Sequence, residues 1–119
     1  MTIQVQELET PSSEYVRLET IGRKSLQPHQ VLVRFITMAE TIIVFPQNTG
    51  RQDWVSNLKT RPEVKAYAGK SVFSATARVR NITGTSDPIL SIFTRKYGMH
   101  TVRQRYWGQR TYVELTIRS

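Results

Sequence analysis

An antiparallel β-barrel with short helices across its ends is the fold class that this 119-residue sequence predicts, mainly β with two or three short helices. Most of the chain alternates apolar and polar residues at period two, and helical spacing is confined to two short segments. A length of 119 residues fits one domain, 1–119, and in a sheet of that size closure removes the exposed strand edges that invite aggregation.

Each element follows from its pattern. SEYVRLETIG reads as a strand with Val16, Leu18 and Thr20 on one side and Tyr15, Arg17 and Glu19 on the other. QVLVRFIT and ETIIVFP form an antiparallel pair joined through Met38 to Glu40. RQDWVSNLKT breaks the alternation, with Trp54, Val55 and Leu58 at helical spacing, and Pro62 ends it by disfavouring α geometry at Arg61. PEVKAYAG and KSVFSATARVRNI meet at a tight turn over Ala68 to Lys70, where Gly69 takes positive φ. SDPILSIFTRKYG is the second helix: Ser86 or Asp87 caps it, Pro88 suits its first position, and Ile89, Leu90, Ile92 and Phe93 form its apolar face. Arg95 and Lys96 suit its last turn, and Gly98 closes it. RTYVELTIR is the final strand, with Val113, Leu115 and Ile117 inward, and MTIQVQEL adds a further strand at the start.

Composition narrows the chemistry. The chain has no cysteine, which excludes disulfides, thiolate metal sites and a cysteine nucleophile. No run approaches the ~20 apolar residues of a membrane-spanning helix, and MTIQVQELET lacks the charged and apolar regions of a secretory signal, so a cytoplasmic protein is expected. His29 and His100 are the only histidines and no carboxylate cluster is near them in sequence, so no zinc site is expected. Isolated serines give a serine hydrolase no support. Residues 1–63 carry seven basic and seven acidic side chains, whereas residues 64–119 carry ten basic ones against Asp87 and Glu114, so the net +8 lies wholly in the second half. Such a field favours an anionic partner: a nucleic acid, an acidic membrane surface or a small molecule with phosphates and carboxylates.

The stretch TIGRKSLQP gives that partner a candidate address. A strand ending at Thr20 and Ile21 runs into Gly22, and Arg23, Lys24 and Ser25 occupy the turn before Gln27 and Pro28. Arg23 offers a fork of donors, Lys24 a point charge and Ser25 a hydroxyl, a set suited to a phosphate or carboxylate. A solvated hairpin tip has the same composition, because polar residues dominate turns.

Several segments in order carry more information than the turn alone. LETIGRKSLQP, a strand pair, DWVSNLKTRPEVKAYAGK and SATARV together resemble the deazaflavin-dependent nitroreductase and quinone reductase family, whose members share patterns such as L-T-T-G-R-K-S-G-Q-P and W-Y-x-N-L-x-x-N-P-x-V-x-V. The resemblance covers residues 17–80 and continues more faintly through Trp107 and RTYVELTI. It implies a split β-barrel of the flavin-reductase and pyridoxamine-phosphate-oxidase-like type that binds coenzyme F-420. It further implies hydride transfer from the reduced cofactor to a small organic acceptor such as a quinone or nitro compound, and a homodimer. In such relatives the GRKS turn holds the anionic tail of the cofactor, which assigns Arg23, Lys24 and Ser25 to that role, with Gln27 nearby. The loop approaching ring and phosphate corresponds to Pro46, Gln47, Asn48, Thr49 and Gly50, followed by Arg51. Trp54 and Asn57 match the family's helix; Trp54 suits either the barrel core or the ring pocket, and Asn57 either the cofactor or nearby backbone. Tyr106 or His100, in the segment that closes the pocket in relatives, is the expected partner for the proton or developing oxyanion.

Departures from the pattern leave other readings open. Leu26 stands where relatives have glycine, and His29 where many have arginine, which makes the tail site less cationic. The 46–50 loop is shorter, and the tyrosines near the substrate are out of register around Gly98 to Gln104. A barrel with FMN or with no cofactor is therefore the first alternative. The second is a basic nucleic-acid or anion-binding module, since FTRKYGMHTVRQRYWGQR interleaves Arg95, Lys96, Arg103, Arg105 and Arg110 with Phe93, Tyr97, Tyr106 and Trp107.

Overall fold

The computed structural model describes residues 14–38, 40–47, 53–69, 71–82, 88–106 and 108–118. Alternation in the sequence becomes strands β1 (Tyr15–Ile21), β2 (Pro28–Met38), β3 (Thr41–Val44), β4 (Glu63–Ala68), β5 (Ser71–Asn81) and β6 (Thr111–Ile117). They close into an antiparallel barrel in the order β1-β2-β3-β6-β5-β4, with β4 pairing back onto β1. The expected strand MTIQVQEL and the caps Ser86 and Asp87 lie outside the described residues.

The helices are α1 (Asp53–Thr60), α2 (Pro88–Tyr97) and α3 (Met99–Arg105). α1 ends just before Pro62, and α2 begins at Pro88 as its sequence predicts. The sequence reading has no counterpart for α3. The helix is only seven residues long, has no side-chain cap and buries only Val102 among its own residues, so it has no apolar stripe to betray it. Gly98 at φ 89 joins the two helices: its N–H donates to the Thr94 carbonyl to close the last turn of α2, and its carbonyl accepts from Val102 N–H to start α3. Gly69 has φ 59 in the β4–β5 turn, as expected.

The barrel wall separates two apolar cores. Inside lie Val16 and Leu18 of β1, Val33 and Phe35 of β2, Ile42 and Val44 of β3, and Val113 and Leu115 of β6, with Trp54, Val55 and Leu58 of α1 covering one end. Outside, Ile36, Ile43, Phe45 and Tyr112 pack against Phe93, Val102 and Tyr106 from the α2–α3 segment. β3 therefore contributes to both cores, which explains its unbroken apolar run where other strands alternate. Lys96 leaves α2 for the wall: its Nζ donates to the Phe35 carbonyl at 2.8 Å and stands 3.9 Å from the Phe35 ring centroid. Among the described residues, no helix is long and apolar enough to cross a membrane.

Candidate functional site

Gly22 opens the turn between β1 and β2, and its backbone closes it: Gly22 N–H donates to the Gln27 carbonyl at 2.9 Å, and Leu26 N–H to the Gly22 carbonyl at 3.0 Å. Ser25 Oγ accepts from Gln27 N–H and lies 3.2 Å from His29 Nε2. A Cβ on Gly22 would meet Ser25 Oγ at 2.4 Å and His29 Nε2 at 2.9 Å, so a side chain there displaces both groups. Leu26 holds a left-handed conformation, φ 60, at the position where the resembling family has glycine.

Helix α1 docks against this turn through Asn57 and Asp53. Asn57 Oδ1 accepts from Arg23 N–H at 3.2 Å and from the Arg23 guanidinium at 3.1 Å, while Asn57 Nδ2 donates to Thr20 Oγ1 at 3.3 Å. Thr20 and Asn57 are the buried polar side chains among the described residues, and they satisfy each other. Arg23 also approaches Asp53, its guanidinium 3.5 Å from the carbonyl and 3.8 Å from Oδ1. Part of its charge is thus balanced within the protein, whereas Lys24 is exposed and forms no ion pair among the described residues.

Two neighbouring cavities share lining residues. The larger, about 400 Å³, is lined by Thr20, Gly22, Arg23, Lys24, Ser25, His29, Gln30, Val31, Asp53, Trp54 and Asn57. A smaller one, about 190 Å³, is lined by Val31, Leu32, Val33, Phe45, Gln47, Trp54 and Tyr106. Val31 and Trp54 belong to both, so the cationic cleft and a recess lined mostly by aliphatic and aromatic residues, with Gln47 and Tyr106 in its wall, are neighbours across the indole. The loop carrying Gln47 is held by Gln109, whose Nε2 donates to the Pro46 carbonyl at 2.9 Å.

Of the residues the sequence singles out, Arg23, Lys24, Ser25, Trp54 and Asn57 share the larger cavity, and Trp54, Gln47 and Tyr106 share the smaller. Gln27 is exposed at the turn and lines neither, and His100 is exposed on α3 and lines neither. Asn48, Thr49, Gly50 and Arg51 lie outside the described residues. Among the described residues there is no group of three or more His, Cys, Asp or Glu able to hold a metal. Phe93 and Tyr106 are buried in the outer core, and the Tyr97 hydroxyl bonds the backbone of β2, so three of the four aromatics on which nucleic-acid stacking depended serve the fold. The fourth, Trp107, lies outside the described residues.

Tyr106 has a charged neighbour that the local sequence pattern does not single out. Arg34 of β2 donates to Tyr106 Oη at 3.2 Å and to Tyr15 Oη at 2.8 Å, and lies 5.0 to 5.9 Å from the ring centroids of Tyr15, Tyr97 and Tyr106. Burial works against its charge, yet the Tyr106 hydrogen bond and the fields of Tyr106, Tyr15 and Tyr97 outweigh it and raise its pKa above the ordinary arginine value. Its signal in the sequence is an arginine interrupting the apolar run from Val31 to Ile36.

A family model described as F-420H(2)-dependent quinone reductase matches residues 4–118. No curated protein matches the chain. Among solved structures, the chain is similar to the heme storage protein HutZ from Vibrio cholerae, with 13% identity, TM-score 0.73 and coverage of 97% of this chain and 88% of that one. It is also similar to the F420-H2 dependent reductase FDR-A, at 17% identity and TM-score 0.66 over 86% of this chain and 93% of that one. A third structure, described as a domain-swapped dimer, is 18% identical at TM-score 0.66 over 88% and 80% of the two chains. At such identities the structures speak for the fold, which is the split barrel also found in pyridoxamine-phosphate-oxidase-like proteins.

Proposed function

The chain belongs to the F-420H(2)-dependent quinone reductase family, and we propose that it is an oxidoreductase transferring hydride from reduced coenzyme F-420 to a small organic acceptor such as a quinone or nitro compound. The observation that carries this reading is that a cationic cleft and a recess of mainly aliphatic and aromatic residues adjoin across Trp54. A cofactor with a flat ring and a polyanionic tail needs both environments side by side.

The donor set fits the tail. Arg23, Lys24 and Ser25 supply guanidinium, ammonium and hydroxyl groups beside a glycine whose missing Cβ lets the Ser25 and His29 side chains close over the turn. In our proposal these three hold the phosphate and glutamates, Gln27 flanks them, and Gln47, Asn48, Thr49, Gly50 and Trp54 border the ring. Asn57 contributes through Arg23, whose backbone and guanidinium it fixes. When bound, the reduced deazaflavin supplies a hydride from its ring carbon. The protein's own part is to orient the ring, to exclude water with Val31, Val33 and Phe45, and to donate a hydrogen bond from Tyr106 to charge developing on the acceptor. We assign that donor to Tyr106 and not His100, because Tyr106 lines the recess and His100 is exposed outside it.

Two features favour a second reading, a split barrel that takes FMN or another cofactor: Asp53 partly neutralises Arg23, and His29 stands where relatives carry arginine. A homodimer belongs to the proposal, supported by the domain-swapped dimer among similar structures. The test is turnover: purified protein mixed with reduced F-420 and menadione is expected to oxidise the cofactor in proportion to enzyme concentration. No turnover with menadione or a nitroaromatic acceptor, together with binding of FMN, would replace this reading by the second.

A further inference from the structure

Arg34 has a setting unusual for an arginine. It is partly buried, it forms no ion pair among the described residues, and it lies against the phenols of Tyr15, Tyr97 and Tyr106. A guanidinium removed from water without a carboxylate loses solvation that nothing of opposite charge replaces. Two of its donors go to hydroxyl oxygens, Tyr15 at 2.8 Å and Tyr106 at 3.2 Å.

The direction of the Tyr106 bond matters. A phenol both donates and accepts, but a guanidinium only donates. Tyr106 Oη must therefore accept from Arg34, which leaves the phenolic hydrogen to be given elsewhere. Tyr106 is 3% exposed, and its ring is wedged edge-on against Phe93 and Phe45, with centroid distances of 5.0 and 6.5 Å, so the residue has little freedom to turn away. It forms one wall of the 190 Å³ recess.

We propose that Arg34 is a positioning residue that fixes Tyr106 as a hydrogen-bond donor to an oxygen-bearing acceptor, a quinone carbonyl or a nitro group, held in the recess between Trp54 and Tyr106. This rests on the reductase reading for the identity of the acceptor, though the hydrogen-bond relay itself does not require the cofactor. The positive charge behind the phenol polarises its O–H, and the polarised hydrogen strengthens its bond as negative charge grows on the acceptor oxygen. Arg34 touches neither acceptor nor cofactor in this scheme. Tyr15, on the other arm of the guanidinium, anchors Arg34 from the solvent side.

The experiment is a double-mutant cycle on the cofactor-free full chain, using menadione as the probe and quenching of tryptophan fluorescence as the readout, since Trp54 lines the recess. Wild type is expected to bind menadione, and R34Q and Y106F each to bind about tenfold more weakly, the size of one charge-assisted hydrogen bond. The R34Q/Y106F double variant is expected to bind no more weakly than Y106F alone. Y106F should leave far-UV circular dichroism unchanged. If R34Q does not fold, R34K takes its place: lysine keeps the charge but cannot fork to both phenols, so at least threefold weakening is expected with Tyr106 present and none in Y106F. A wild type that does not bind menadione, or losses that add in the double variant, would overturn the proposal. Failure of the reductase reading would show separately, as menadione binding that follows this pattern in a protein that does not oxidise reduced F-420.

Discussion

Leu26 offers a test in which the sign of the effect carries the information. Its φ of 60 puts it in the left-handed region, and it is 57% exposed at the tip of the turn that forms the cationic cleft. Replacing it by glycine alone confuses strain relief with the loss of side-chain packing, so the informative comparison is L26G against L26A, in which the packing loss is shared. A non-glycine residue in this region costs about 1–2 kcal/mol. Glycine gives back about 0.4–1 kcal/mol through its greater freedom in the unfolded chain. The difference leaves L26G more stable than L26A by roughly 0.5–1 kcal/mol, the reverse of the usual order of alanine and glycine. For a chain of this size that corresponds to a melting temperature about 2–4 °C higher for L26G, readable by differential scanning calorimetry. L26A equal to or more stable than L26G would refute the backbone conformation assigned to the turn, and with it the shape of the cleft.

Asn57, Gly22 and Lys96 give further tests, two at the turn and one at the barrel wall. N57A removes the acceptor of two Arg23 donors and the donor to buried Thr20; a loss of roughly 2–4 kcal/mol is expected in urea unfolding, and less than about 1 kcal/mol would mean that water replaces Asn57 without penalty. G22A is expected to cost under about 1 kcal/mol because the atoms it displaces belong to side chains that can rotate, yet it should break the Ser25–His29 contact and move the His29 ring resonances in NMR spectra. K96M loses the bond to the Phe35 carbonyl and the contact with its ring; a destabilisation of about 1–2 kcal/mol is expected, whereas no change would assign Lys96 to a partner and not to the fold.

The strands were legible because each of them except β3 shows at least part of one face to solvent, which writes burial into the sequence as alternation. Val16, Leu18 and Thr20 are buried while Tyr15 and Arg17 are exposed, as the pattern of SEYVRLETIG requires. β3 was found for a different reason, its apolar run, which reflects cover on both faces. α3 was invisible because a seven-residue helix over an existing core adds only Val102, with no periodicity to detect. The turn residues Arg23, Lys24 and Ser25 could be read from local composition and order, but their counterweights could not. Asp53 and Asn57 reach the turn across 30 and 34 residues, and Arg34 meets Tyr106 across 72, separations over which no local pattern runs. The positive second half was equally incomplete as a guide: Lys96 serves the barrel wall and Arg80 pairs with Glu114 at 3.3 Å, so net charge overstates what is offered to a partner.

The central claim, that the Gly22–Gln27 turn grips the anionic tail of a deazaflavin, is tested most directly by calorimetric titration of the wild type and R23A/K24A with F-420 and with its tail-free deazaflavin core. The account predicts that the wild type binds F-420 at least about tenfold more tightly than the core, through charge-assisted contacts to the tail. It predicts that R23A/K24A erases this preference and leaves affinity for the core unchanged. Equal affinity of the wild type for both ligands, or an undiminished preference in the double variant, would contradict it.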